Sequence, residues 1–286
     1  MPSKHVVTRL WRQPQVRQAR HTLSPVTWFR KMTAAYRRSP NYLIIGTQKG
    51  GTTSLHGYLA QHPQVAASTI KEVHYFDKNY HRGENWYRTH FPLNAASVNS
   101  LCGESSPFYM FCPNSPARVA AMLPEVKIIA LLRNPVDRAY SHYQLTRRRN
   151  REPLSFEDAV AAEPERLAGE RERLIADASY NSAAYRNYSY VSRGYYLQQL
   201  SEWWKHFPKR QFLVLQSESF FRDTASAFDR VLDFLKLDRW HPPQFANLYP
   251  GKYTSRIQPQ TREALQQRFA TPNDQLFSAL GKSFDW

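Results

Sequence analysis

The stretch "YLIIGTQKGGTTSLHGYL", residues 42–59, constrains the fold more than any other part of the chain. An apolar run from Tyr42 to Ile45 feeds a glycine-rich loop, and Leu55, Tyr58 and Leu59 follow at helical spacing. Strand, tight loop and helix in that order form the unit from which parallel sheets are built. Gly50 and Gly51 let the backbone approach an anion, and the amides and hydroxyls of Thr52, Thr53 and Ser54 open the next helix. The first amides of a helix lack partners within it, so such a junction binds phosphate. The ATPase loop, G-x-x-x-x-G-K-[ST], carries its lysine directly after the second glycine. Here Gly46 and Gly51 keep the spacing, Thr52 holds the lysine's slot, and Lys49 stands inside the loop. The plain alternative is a tight turn capped by a threonine.

The pattern then repeats. "VKIIALL" (126–132) is a second continuous apolar run, as expected of a central parallel strand, and "QFLVLQ" (211–216) is another. Val136, Ala139, Tyr140 and Tyr143 place a helix over 136–148, and further helices are expected over 52–61, 195–207 and 224–237. Residues 156–176 are charged and helical in composition, and are expected to face solvent. This alternation predicts an α/β fold: a P-loop-like, three-layer arrangement with a central, mostly parallel sheet flanked by helices.

Two further stretches carry chemistry. In "LLRNPVDRAYSHY" (131–143), Arg133 follows an apolar strand, Pro135 starts the next helix, and Ser141 lies one to two turns in. Ligands of open α/β sheets collect beyond the carboxyl ends of strands, and arginine offers a planar fork for a phosphate. The alternative makes Arg133 a structural partner of Asp137 or Glu104. In "KEVHYFDKNYHRGENWY" (71–87), Glu72, His74 and Asp77 are ionisable groups among aromatics, and Glu72 is of the type that removes a proton from an acceptor hydroxyl. The plain reading of Glu72 to Tyr75 is a half-exposed strand. None of the apolar strands ends in the aspartate a Walker-type magnesium site needs, so no metal is expected.

The net charge of +16 points to an anionic partner. It is unevenly spread: no Asp or Glu precedes Glu72, while Lys4, Arg9, Arg12, Arg17, Arg20, Arg30, Lys31, Arg37 and Arg38 crowd the start, leaving +7 on the rest. Residues 1–40 are therefore expected to form a basic arm, flexible or laid on an anionic membrane through Trp11, Trp28, Phe29, Met32 and Tyr36, with a single domain over 41–286. No stretch reaches the ~18 apolar residues of a membrane span. Cys102 and Cys112 make no metal motif and read as free thiols, with one pairing open.

Taken together, these stretches resemble the sulfotransferases that use 3′-phosphoadenosine 5′-phosphosulfate (PAPS), and most closely the heparan sulfate 3-O-sulfotransferases and N-sulfotransferase domain. The likeness runs from about Asn41 to Trp286. "GTQKGGTTSL" is similar to the family's 5′-phosphosulfate loop, "RNPVDRAYSHY" to its 3′-phosphate motif, and "KEVHYFD" with "GENWY" to its catalytic segment. "GESSPFY" (103–109) and the terminal "GKSFDW" also match. The resemblance implies that Lys49 neutralises the leaving phosphate and that Gly50, Gly51, Thr52, Thr53 and Ser54 hold the 5′-phosphate. It further implies that Arg133 and Ser141 hold the 3′-phosphate, that Glu72 is general base, and that His74 and Asp77 orient it or the acceptor. Tyr253 and Arg256 would serve the nucleotide.

Two departures stand out. Ser105 occupies a position where the 3-O-sulfotransferases carry lysine, and "YPGKYTSRIQPQ" (249–260) lacks the cysteines of their disulfide-bonded loop. The expected acceptor is a hydroxyl, less readily an amine, on a glycan or glycoconjugate. Tyr75, Tyr80, Trp86 and Tyr87 would line a sugar site, and Arg147, Arg148, Arg149 and Arg151 would either hold an anionic acceptor or form a solvated helix face. Alternatives are a lipid or small-molecule alcohol as acceptor, a nucleic-acid-binding module, for which no binding motif is present, and a metal-dependent nucleotide kinase. The expected location is cytoplasmic, with peripheral membrane contact through the arm.

Overall fold

A computed structural model of the chain describes residues 25–94, 100–246 and 256–286. Among the described residues five strands form one sheet: β1 (Tyr42–Gly46), β2 (Val65–Ala67), β3 (Leu101–Ser105), β4 (Lys127–Leu132) and β5 (Phe212–Gln216). They lie in the order β2-β3-β1-β4-β5, and every neighbouring pair is parallel. The helices are α1 (Pro25–Met32), α2 (Thr52–Leu59), α3 (Gly83–Arg88), α4 (Ser115–Met122), α5 (Pro135–Arg148), α6 (Phe156–Ala161) and α7 (Glu163–Leu167). They continue with α8 (Glu170–Ala176), α9 (Ala183–Asn187), α10 (Tyr196–Trp204), α11 (Ser217–Arg222), α12 (Thr224–Leu235) and α13 (Pro259–Leu280).

Side chains alternate across a strand, so each central strand feeds two cores. Ile44, Ile129 and Leu131 pack with Leu55 and Leu59 of α2 and Phe228, Val231 and Leu232 of α12. Leu43, Ile45, Ile128, Ala130 and Leu132 pack on the other face with Val119 of α4, Leu200 and Trp203 of α10 and Leu276 of α13. This is the expected three-layer α/β fold. Burying each large apolar side chain contributes about 1.5–3 kcal/mol, so truncating the fully buried Trp203 to alanine should cost about 3–5 kcal/mol.

Because all five strands run the same way, their carboxyl ends share one edge. Gly46, Ser105 and Leu132 end β1, β3 and β4 there, and the loops they feed carry the candidate residues. Residues 156–176 are helical and mostly open to solvent, as expected, in three short helices that bury Phe156, Ala159, Glu163 and Leu174. Two expectations are corrected. Glu72 to Tyr75 is not a strand: Glu72 and His74 have left-handed φ of 62° and 54°, and a π-turn follows over Tyr75–Asn79. Tyr75 and Tyr87 line no surface, being buried and stacked on each other at 4.5 Å between centroids. Cys102 and Cys112 are separate, buried free thiols.

Candidate active site

The loop after β1 is held by its neighbours. Thr47 N donates to Leu131 O at 2.8 Å and Gly50 N to Thr47 O at 3.0 Å, folding the chain back before α2 begins. Gly51 adopts φ 100°, and a Cβ there would lie 2.9 Å from the Phe221 ring; a Cβ at Gly50 would meet Leu131 O at 2.5 Å. Only glycine fits this approach, for reasons of space at Gly50 and of backbone hand at Gly51. Thr52 and Ser54 are buried and Thr53 half-buried. The amides of Gly51, Thr52 and Thr53 have no hydrogen-bond acceptor among the described residues.

Lys49 sits in this loop with φ 75°. Its ammonium has no carboxylate partner among the described residues; instead burial, and then Arg148, Arg133 and Arg149, pull it down to about 8, with Glu72 acting weakly in the opposite sense. Arg133 comes from the loop after β4 and donates through Nη1 to Lys49 O at 3.2 Å, joining the two loops. Neither alternative partner claims it: Asp137 pairs with Arg262 at 2.8 Å, and Glu104 bonds elsewhere. Asn134 caps α5 by accepting from Val136 N and Asp137 N. Ser141 is buried on α5, as is Arg138, whose Nε and Nη1 have no partner while Nη2 donates to Tyr190 O.

The segment after α2 is built differently. Glu72, with 42% of its side chain open, pairs with Lys71 and lies 3.5 Å from His74 Nε2. His74 Nδ1 donates to the buried Asp77 Oδ2 at 2.8 Å, and Arg186 Nη1 reaches that same oxygen at 3.4 Å. Surrounding protein would raise the Glu72 carboxyl, but Lys71 and His74 outweigh it and hold it well below the usual carboxylate range. Burial would lower His74, but Asp77 and then Glu72 lift it to about 9, so it donates from both nitrogens. Positive, negative and positive groups thus alternate along one chain of contacts.

Several residues in this frame were not singled out from the sequence. Glu104, fully buried at the end of β3, accepts from Tyr109 OH at 2.7 Å, Ser106 Oγ at 2.7 Å, Tyr87 OH at 2.9 Å and Val73 N at 3.3 Å. It thereby fixes the backbone between Glu72 and His74. Arg193, also buried, donates to Gln48 Oε1 at 2.6 Å and lies over the Phe108 ring, as Arg186 does. One short stretch therefore braces both the loop and Asp77. Glu218 accepts from Asn134 N at 2.9 Å and from Trp286 Nε1 at 3.0 Å, so the chain's last residue props the cap of α5. Glu104, in a "GESSP" stretch at a strand's carboxyl end, was the available signal; Arg193 carries none in its local sequence.

Other expected site residues divide. Tyr253 lies outside the described residues, and Arg256 is exposed, with no described contact to the loop. Arg147 caps backbone carbonyls, donating to Pro153 O at 3.0 Å, and Arg151 donates to Asn187 Oδ1 at 3.3 Å, whereas Arg148 and Arg149 are exposed and act on Lys49. Ser105 is buried with its Oγ unpartnered, and its carbonyl accepts from Glu72 N at 3.1 Å.

Residues 39–245 match the family model described as "Sulfotransferase domain". The chain is 34% identical over 227 residues to the heparan sulfate glucosamine 3-O-sulfotransferase 3B1 of Mus musculus, covering 79% of this chain and 53% of that protein. It is 32% identical over 211 residues to the bifunctional heparan sulfate N-deacetylase/N-sulfotransferase 3 of Homo sapiens, covering 69% of this chain and 22% of that protein. The chain thus spans about half of the first relative and a smaller part of the second. A crystal structure of a sulfotransferase from Alicyclobacillus acidocaldarius superposes with a TM-score of 0.66 at 30% identity, covering 86% of this chain and 98% of that one.

Proposed function

The chain belongs to the sulfotransferase domain family, and on that premise we propose that it transfers a sulfuryl group from PAPS to a hydroxyl of a glycan or glycoconjugate. The observation that carries this reading is a group of donors without acceptors beside an ordered carboxylate. The amides of Gly51, Thr52 and Thr53, the Lys49 ammonium and two Arg138 nitrogens have no described partner, and Glu72 lies close enough to act on Lys49. Such donors fit a nucleotide carrying anions at both ends.

When bound, the donor supplies an activated sulfate whose leaving group is a phosphate. The loop amides and the hydroxyls of Thr52, Thr53 and Ser54 hold the 5′-phosphate end. Lys49 places its charge where negative charge grows on the leaving oxygen, which is worth most in a site of low dielectric. Arg133, tied to Lys49 O, and Ser141 hold the 3′-phosphate. Glu72 removes the proton of the acceptor hydroxyl. His74, clamped by Asp77, orients the carboxylate and keeps it charged, and Arg186 holds Asp77 in turn. Transfer of this kind depends chiefly on positioning and charge stabilisation. The curated relatives are heparan sulfate sulfotransferases, which supports a glycan acceptor.

The test is incubation with PAPS and a panel of glycan, lipid and small-molecule acceptors, following release of adenosine 3′,5′-bisphosphate. Micromolar binding of that product, with turnover on a glycan, is expected. Absence of product binding sinks the donor assignment, and turnover confined to lipid or small alcohols replaces the acceptor.

A further inference from the structure

A surface helix ordinarily turns its apolar stripe inward and its charges to water. Helix α1 is inverted. None of its residues is buried, and Trp28 and Met32 are 66% and 64% exposed. What holds it to the body is arginine. Arg30 Nη1 donates to Thr89 O at 2.7 Å, and just beyond the helix the buried Arg37 donates to Phe91 O at 2.7 Å and to Thr33 Oγ1 at 3.1 Å. Of the eight large apolar side chains exposed among the described residues, five (Val26, Trp28, Phe29, Met32 and Tyr36) fall in this one stretch. The other three, Ile70, Ile175 and Phe221, are scattered.

A concentrated apolar face on a folded chain marks a surface that something covers. Charge selects the cover. Besides Arg30 and Arg37, which are engaged with the body, seven lysines and arginines crowd the first 38 positions, with no acidic residue before Glu72. A second copy of this chain would bring the same positive charge against itself, which opposes pairing. An anionic bilayer answers both features: tryptophan and tyrosine settle at headgroup level, apolar side chains enter the acyl boundary, and each nearby cation is drawn to the negative leaflet. Among the described residues no helix is long and apolar enough to cross a membrane, so the contact lies on the surface. We propose that α1 and the turn through Tyr36 form a docking surface for an anionic lipid bilayer.

The test is co-sedimentation of the full chain with vesicles of phosphatidylglycerol and phosphatidylcholine in equal parts, and with phosphatidylcholine alone. Binding to the anionic vesicles is expected, weaker by about tenfold on the neutral ones and falling as salt screens the attraction. Trp28→Ser with Met32→Ser should weaken anionic-vesicle binding about tenfold while keeping the wild-type melting temperature and affinity for adenosine 3′,5′-bisphosphate; Ile175→Ser should change nothing. Failure of the wild-type protein to bind anionic vesicles overturns the proposal, whatever the variants do. So does a double variant that binds normally but sediments as a smaller species, because the face would then be an interface between copies. Neither result touches the sulfotransferase reading, which vesicle binding does not probe.

Discussion

The two halves of the candidate site handle charge in opposite ways. Around the loop after β1, Lys49 and Arg133 stand beside further guanidinium groups, and burial first, then repulsion from Arg148, Arg133 and Arg149, pulls Lys49 down to about 8. Along the segment after α2, each charge meets its opposite: Lys71 with Glu72, Glu72 with His74, His74 with Asp77, and Asp77 with Arg186. The first half leaves its donors unanswered among the described residues; the second answers each of its charges with an opposite one. Removing a cation from the first should relieve strain while destroying function. Removing a member of the second should strand a charge and weaken the fold.

The largest effect is expected at Glu72. Glu72→Gln keeps shape and removes the base, so transfer should fall by about 10²–10⁴-fold. Affinity for adenosine 3′,5′-bisphosphate, measured by calorimetry, should stay within about twofold, since the variant leaves the loop donors in place. Near-full activity would remove Glu72 from the role of base.

Next comes Lys49. Lys49→Met should lower turnover by about 10²–10³-fold through loss of charge at the leaving oxygen. The contrast predicts that the same variant melts no lower than the parent in the absence of nucleotide, because the lysine is held among cations. A clear drop in melting temperature would mean that Lys49 has a stabilising partner and that the loop half answers its charges after all.

Asp77→Asn probes the other half. Asp77 is buried and accepts from both His74 and Arg186. Breaking a buried pair of this sort costs about 3–5 kcal/mol, and the lower end applies here because both cationic partners are partly open. Urea denaturation should show that loss, alongside nucleotide binding close to normal. If stability is unchanged, the chain of paired charges contributes positioning only.

How much of this was legible in the sequence follows from where each signal lies. β1 and β4 are buried on both faces, and β5 over its last three residues, and all three read as continuous apolar runs. β3 does not, since "LCGES" ends in Glu104 and Ser105, whose burial is made tolerable by hydroxyls of Tyr87 and Tyr109 that only the fold brings near. β2 is too short, at three residues, to show a period. α13 went unread because its buried Leu265, Phe269 and Leu276 are spread thinly along 22 mostly polar residues. Lys49, Arg133, Glu72, His74 and Asp77 stood out because each lies within a local motif. Arg186 and Arg193 act across 109 and 145 positions of chain, on Asp77 and Gln48, so no local pattern could disclose them.

The smallest effect is a pH dependence whose sign differs between the halves. His74 is raised to about 9 from an ordinary 6.5, so the folded state holds its proton more tightly than the unfolded chain does. The stabilisation this gives is full below pH 6.5 and is lost as pH rises through about 9. Lys49 is lowered to about 8 from 10.5, so it destabilises the free fold below pH 8, and that penalty fades above it. Between pH 7 and 8 His74 works against the buried His56, His90 and His142, which burial holds below their ordinary 6.5 and which favour the fold as pH rises, and against the onset of Lys49 titration, so unfolding free energy should rise less, or fall more, with pH in the parent than in His74→Gln. Nucleotide binding runs by Lys49 alone. Adenosine 3′,5′-bisphosphate should bind with nearly constant affinity from about pH 7 to 8, then lose up to about tenfold per further unit as the ammonium gives up its proton before binding. A profile that is flat to pH 9.5, measured by calorimetry, would place the Lys49 ammonium beside a carboxylate rather than among guanidinium groups, and the contrast between the two halves would fail with it.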